Sequence, residues 1–242
     1  MVTTNRLSET AALMGDPARA SMLLALIDGK PRPATDLAAQ ARVTPQTTSG
    51  HLSKLVAAGL LAVDQQGRHR YYRLADATVA EALEAVMAVA ARAAQTPTRP
   101  APASAAWRRD SRLRRCRTCY DHLAGQVGMA IADSLSRNGH IEAAPGKDWL
   151  VTARGELFCR KVGVDIDGAR RVAEAGRRHF ARQCLDWSER RPHIAGALGS
   201  AIADLFFSRG WARRRSDGRA VDLTPAGEKA LAKVFRAEVA DA

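Results

Sequence analysis

Val43-Thr44-Pro45-Gln46-Thr47-Thr48-Ser49-Gly50-His51-Leu52-Ser53-Lys54-Leu55-Val56-Ala57-Ala58-Gly59-Leu60-Leu61 decides the fold of the first part of this chain. Thr44 is a good helix cap, and Pro45 is preorganised for the first helical position, so a helix start is marked. Leu52, Leu55 and Val56 fall on one face of a 3.6-residue period and can enter a core. Gln46, Thr47, Ser49, Gly50, Ser53 and Lys54 face outward, a row of small donors and acceptors that suits a helix lying in a major groove. Gly59 stops the helix. Residues 60–65 and 68–74 are extended runs around Gln66-Gly67, a hairpin whose tip carries Arg68, His69 and Arg70. Cations there can meet phosphates or a minor groove. Thr44, Gln46, Thr47, Thr48, Ser49, His51, Lys54, Arg68, His69 and Arg70 are therefore the expected DNA contacts, with double-stranded promoter DNA as partner. An ordinary globular core explains the apolar positions but leaves a basic tip beside a polar helix face unexplained.

The whole-chain charge agrees. A formal net charge of +12 over 242 residues points to a polyanionic partner, and counterion release would make binding fall steeply with salt. Charge alone does not separate DNA from RNA or an acidic membrane; the helix and wing make that choice. No apolar run approaches the ~20 residues needed to span a membrane. Asn5, Arg6, Ser8 and Glu9 near the start lack the apolar core of a secretion signal. The expectation is a cytoplasmic, nucleoid-associated protein without a membrane partner. Its four cysteines, Cys116, Cys119, Cys159 and Cys184, are then reduced, metal-bound or redox-active, not a disulfide framework.

Residues 5–95 resemble the ArsR/SmtB family of bacterial winged-helix repressors. The resemblance rests on Leu13-Met14-Gly15-Asp16-Pro17-Ala18-Arg19, then Asp36-Leu37-Ala38. It continues through Ser49, His51, Leu52, Leu55 and Ala58-Gly59-Leu60, and ends on Gly67-Arg68 with Tyr72 and Leu74. It implies a homodimer joined through the first and last helices of the domain, repressing a promoter until an inducer releases it. Two departures matter. Thr35-Asp36-Leu37-Ala38-Ala39-Gln40-Ala41 has no cysteine where the family's metal sensors carry them, and residues 76–94 contain no histidine for the second family metal site. Gly50 stands where many relatives have a larger residue, which weakens base readout there. On the last helix Val79, Leu83, Val86, Met87 and Ala90 form a stripe, read either as a dimer seam or as packing onto its own domain.

Residues 96–106, rich in proline and alanine, are expected to link this domain to residues 107–242. Residues 107–117 hold six arginines and one acid, a DNA contact or a solvated helix entry. Beyond them lies a duplication: residues 122–139 and 193–210 are identical at nine of eighteen positions with a constant offset of 71. Thr152 to Glu156 answers Thr224 to Glu228. Each copy reads as helix, glycine stop, small wing, then Thr-x-x-Gly-Glu opening another helix; the second wing has its tip near Asp217-Gly218-Arg219. The small residues Ala124, Gly125, Gly128 and Ala132, with Ala195, Gly196, Gly199 and Ala203, would let the paired helices cross closely about a pseudo-two-fold axis. The expected fold is thus mainly α with small β-hairpin wings, an α+β architecture. A winged helix-turn-helix is followed by two degenerate winged-helix-like repeats, about 119–165 and 184–240, serving sensing or assembly.

Cys116-Arg117-Thr118-Cys119-Tyr120-Asp121-His122 is the most chemically loaded segment. Two thiols at a helix start among arginines would have lowered pKa values. If the repeats face each other, Cys116, Cys119, Cys184 and one of His122 and His193 supply ligand types suited to zinc or another thiophilic ion. An organic inducer between the repeats, or no small ligand at all, are the other readings. Cys159 and the tryptophans Trp149, Trp187 and Trp211 read as core. An alternative function is a nonspecific architectural DNA-binding protein. A thiol oxidoreductase using Cys116 and Cys119 would need a preceding strand in a βαβ unit, and no Gly-rich phosphate loop, His-Glu-x-x-His or Gly-x-Ser-x-Gly is present. No enzyme is expected.

Overall fold

A computed structural model describes residues 3–67, 69–93, 111–176, 178–215 and 218–239. The expected linker at 96–106 lies outside the described residues, as do Arg68 and Asp217 at the two wing tips. Contacts divide the chain into two compact units, Met1–Leu83 and Glu84–Ala242.

In the first unit, helix α1 (Thr4–Gly15) is capped by Thr3, and Asp16 caps α2 (Pro17–Ala25), accepting from Arg19 N with Pro17 in the first turn. Strand β1 (Arg32–Pro33) leads into α3 (Ala34–Ala41), which ends on the left-handed Arg42. Helix α4 (Pro45–Ala57) starts where the sequence marks it, with the Thr44 hydroxyl accepting from Thr47 N. Its end is a Schellman-type closure. Gly59 has φ +70, and Leu60 N donates to Leu55 O at 2.9 Å. That bond holds Leu60 to the helix, so β2 (Leu61–Gln66) begins one residue later than the sequence run. It pairs antiparallel with β3 (His69–Leu74) from Leu61↔Leu74 to Gln66↔His69, and β1 joins the far edge of β3 through Arg32↔Tyr72. Met22, Leu23, Leu26, Ile27, Leu37, Leu52, Leu55 and Leu74 are buried. The element order is that of a winged helix-turn-helix.

Helix α5 (Ala77–Ala93) crosses the boundary between the units. The expected stripe splits: Val79, Leu83 and Met87, four residues apart, are buried within the chain, while Val86 and Val89 are each 55% exposed.

The second unit opens with α6 (Ser111–Arg115), then hairpin β4 (Arg117–Cys119) and β5 (His122–Ala124), helix α7 (Gly125–Arg137), and a wing of β6 (Ile141–Ala143) and β7 (Trp149–Val151). Helices α8 (Ala153–Val162) and α9 (Ile166–Glu174) follow. The pattern repeats as β8 (Arg182–Leu185), β9 (Pro192–Ala195), α10 (Gly196–Ser208), β10 (Ala212–Arg214), β11 (Val221–Leu223) and α11 (Pro225–Lys233). Thr152 and Thr224 cap α8 and α11 alike, accepting from Gly155 N at 3.0 Å and Gly227 N at 3.1 Å. Ile131, Leu135, Leu198, Ile202, Phe206 and Phe235 fill one shared core, with Trp149 and Trp211 packed against it.

Two hairpins, β4–β5 and β8–β9, precede the duplicated helices and were not expected from sequence. Their first strands match at an offset of 65, whereas their second strands and the helices match at 71, because the second hairpin has the longer loop. Each hairpin bonds to the wing of the other copy. Thr118 N donates to Arg219 O at 2.9 Å and Val221 N to Cys116 O at 3.0 Å; Gln183 N donates to Lys147 O at 2.6 Å and Trp149 N to Ala181 O at 2.9 Å. The expected close crossing of the paired helices is corrected: a Cβ on Gly128 would lie 2.5 Å from Leu123 O and 3.6 Å from His193 Cβ, and one on Gly199 would meet Ile194 O and sit 3.1 Å from His122 Cβ. The small residues admit the preceding strand and the opposite histidine, not the sister helix.

Candidate functional site

The face of α4 is built by its cap. Thr44, Gln46, Thr47, Ser49, Gly50, Ser53 and Lys54 are exposed, and the Thr44 and Thr47 hydroxyls lie 2.9 Å apart. Thr48 does not belong to this face. It is 1% exposed, and its hydroxyl donates to Thr44 O at 2.9 Å, one turn back. His51 is also turned away from the row: its side chain is 16% exposed, with Nδ1 3.4 Å from Arg19 Nη1 and 3.9 Å from Asp16 Oδ1. Arg19 in turn donates to Leu13 O at 2.7 Å and Ala12 O at 3.0 Å. His51 thus fastens the recognition helix to the α1–α2 corner. The Asp16 carboxyl is held below its ordinary value, first by the hydrogen bond from Arg19 N. On the wing His69 and Arg70 are exposed, Arg70 lying over the Tyr72 ring at 5.7 Å.

The second cluster sits where the two hairpins of the second unit meet. Cys119 faces His122 across β4–β5, and Cys184 faces His193 across β8–β9. Cys119 Sγ is 3.8 Å from Cys184 Sγ, His122 Nε2 is 3.1 Å from His193 Nε2, and all four ligand atoms lie within 4.8 Å of one another. Each of the four residues is at most 4% exposed. Both histidines turn Nδ1 outward to a carboxylate: His122 to Asp121 at 3.5 Å, His193 to Asp186 at 3.7 Å. Asp121 is gripped by Arg178, and Asp186 forms a fully buried pair with Arg117 at 2.9 Å while accepting from Gly125 N at 2.7 Å. Trp187 covers the Arg117 guanidinium at 4.7 Å.

Cys116 is not part of this group. Its thiol points into the main core, and burial pushes it up to about 12. The expected lowering of the Cys116 and Cys119 pKa values is corrected as well. Cys119 lies on a strand, and sharing a hydrogen bond with Cys184, together with burial, holds it well above the usual thiol value. Cys159 is core, raised to about 11 by burial. Burial opposes charge on His122, yet the neighbouring Cys119 and Asp121 raise it to about 9; His193 is held well below its ordinary value by burial and by the charge of His122.

A capped helix with a polar outer row, leading through a glycine into a hairpin wing, defines a winged helix-turn-helix DNA-binding protein. A family model described as a helix-turn-helix domain, HTH_20, matches residues 14–64. The chain is 40% identical over 233 residues to YdfF of Bacillus subtilis (strain 168), described as an uncharacterized HTH-type transcriptional regulator; the match covers 96% of this chain and 98% of that one. The HTH-type transcriptional regulator CmtR of Mycobacterium tuberculosis (strain H37Rv) is 39% identical over 77 residues, 32% of this chain and 64% of CmtR. Its solved structure, of a cadmium metal-sensor, covers 40% of this chain and 97% of its own with a TM-score of 0.29 at 32% identity. The chain belongs to the HTH-type transcriptional regulators, with an ArsR/SmtB-like helix-turn-helix domain in its first part; these are DNA-binding proteins and not enzymes. Among the described residues no helix is long and apolar enough to cross a membrane.

Proposed function

We propose that this regulator is a homodimeric repressor of its own or a neighbouring promoter. Residues 5–95 read and dimerise, residues 96–106 link, and residues 107–242 receive the signal. The observation that carries the proposal is the exposed row Gln46, Thr47, Ser49, Ser53 and Lys54 on a helix whose start and end are both fixed by caps, beside His69 and the cationic Arg70. Such a row is presented in one orientation and suits base edges, while the wing cations suit phosphates. Homodimerisation is supported by apolar groups left facing water, Leu7 on α1 and Val86 and Val89 on α5, and by the match of two-fold proteins to palindromic sites. The effector we assign is a thiophilic ion acting on the buried Cys/His cluster.

The test is a fluorescence-anisotropy titration of the reduced full-length protein against its own upstream promoter DNA and a scrambled duplex, with and without Zn(II). Tight binding to the promoter alone, changed by zinc, is the expected result. Equal affinity for both duplexes would replace the repressor with an architectural DNA-coating protein.

A further inference from the structure

We propose that Cys119, His122, Cys184 and His193 bind one tetrahedral divalent ion of the zinc class, closing the two hairpins of the duplicated unit onto each other. With Zn–S near ~2.3 Å and Zn–N near ~2.05 Å, a tetrahedron has S–S edges of about 3.8 Å and N–N edges of about 3.3 Å. The corresponding separations are 3.8 Å and 3.1 Å. The longest, 4.8 Å, needs a contraction of about an ångström to reach the S–N edge.

Three further features point the same way. The ligands come from two copies of one hairpin, each contributing a cross-strand cysteine and histidine, so the site straddles the pseudo-two-fold axis. The carboxylates of Asp121 and Asp186 lie on the Nδ1 side of the two histidines, leaving Nε2 toward the centre, which is how ligating imidazoles are oriented. His193 Nδ1 itself has no hydrogen-bond partner within the described residues although it is buried, a slack that rotation onto a ligand would take up. Burial also selects the charge. A divalent cation binding here displaces to solvent the protons of the two thiols and the extra proton carried by His122, and two thiolates with two neutral imidazoles then give an uncharged centre. A monovalent ion would leave a net negative charge in a site almost closed to water. Four protein ligands fill the tetrahedron, as in structural sites, without a place for water.

Whether the ion is present is independent of DNA; only its role as effector rests on the regulatory reading above. The full-length protein, reduced and freed of metal under anaerobic conditions, is titrated with Co(II) and then Zn(II). One equivalent of cobalt per chain is expected, with tetrahedral ligand-field bands and thiolate charge-transfer absorption, displaced stoichiometrically by zinc. The double variant Cys116→Ser/Cys159→Ser is expected to give the same spectrum, since its only thiols are Cys119 and Cys184. Cys119→Ser and Cys184→Ser are expected to lose about half the charge-transfer intensity. No uptake, an octahedral spectrum, or a spectrum lost in the Cys116→Ser/Cys159→Ser protein overturns the proposal. Uptake without any effect on promoter binding keeps the site and removes its role as effector; uptake by a protein that binds no DNA removes the repressor and keeps the site.

Discussion

His51 and Ser49 are two residues apart and do different work. Ser49 is exposed on the outer polar row, whereas His51 leans on Arg19 and Asp16. Replacing Gln46 or Ser49 with alanine is expected to cost about 1–3 kcal/mol of preference for the promoter over scrambled DNA, read by competition anisotropy. Arg70→Ala should instead weaken all duplexes alike and reduce the magnitude of the log–log salt slope by about one. His51→Ala should lower the midpoint of thermal unfolding while the bound protein keeps its base preference; lost preference without lost stability would return His51 to the reading face. Asp16 supplies a pH signature for the same corner. Its folded pKa lies below the ordinary 3.8, so its contribution is complete above that value and fades as pH falls through the lower, folded one. Asp16→Asn should flatten acid unfolding of the first unit in that window. The position of Thr48 was legible in the sequence: Thr48, Leu52 and Leu55 share the buried stripe at i, i+4 and i+7. The partner of His51 was not, because Arg19 and His51 are 32 residues apart and no local pattern links them.

At the scale of elements, periodicity and caps recovered α4, the first wing and the Thr-capped helices of both copies, since each carries its signal within one or two turns. The β4–β5 and β8–β9 hairpins escaped. Their strands of three or four residues hold Arg, Thr, Cys and His in place of an apolar alternation, and the unequal loops shift the repeat register by six residues. Without them the approach of both histidines, and the exclusion of Cys116, could not be read from spacing. Gly128 and Gly199 now have a defined task, and Gly128→Ala forces a Cβ to 2.5 Å from Leu123 O. Overpacking of this kind costs about 1–3 kcal/mol. Urea unfolding of the second unit should show that loss, together with weaker cobalt uptake as the backbone of Leu123, next to His122, is displaced; an unchanged midpoint would show that α7 can shift away from its strand.

For the whole molecule, the excess of twelve positive charges predicts that promoter affinity falls steeply between low and physiological salt, with the slope counting phosphate contacts at about 0.9 each on B-DNA. A slope near zero would detach the charge from the function. Metal removal should act more locally, loosening the second unit in hydrogen exchange while the Leu61–Gln66 and His69–Leu74 wing keeps its protection. The reciprocal bonding of each hairpin to the other copy's wing, Thr118 to Arg219 and Gln183 to Lys147, has a consequence for how this half folds. A lone copy has an arm with nothing of its own to grasp. Expressed singly, a copy should seek a twin and form an exchanged pair. In the fused chain, folding has to bring Thr118 to Arg219, 101 residues away, as well as Gln183 to Lys147, 36 residues away, before both arms are satisfied. The two copies therefore stand or fall as one.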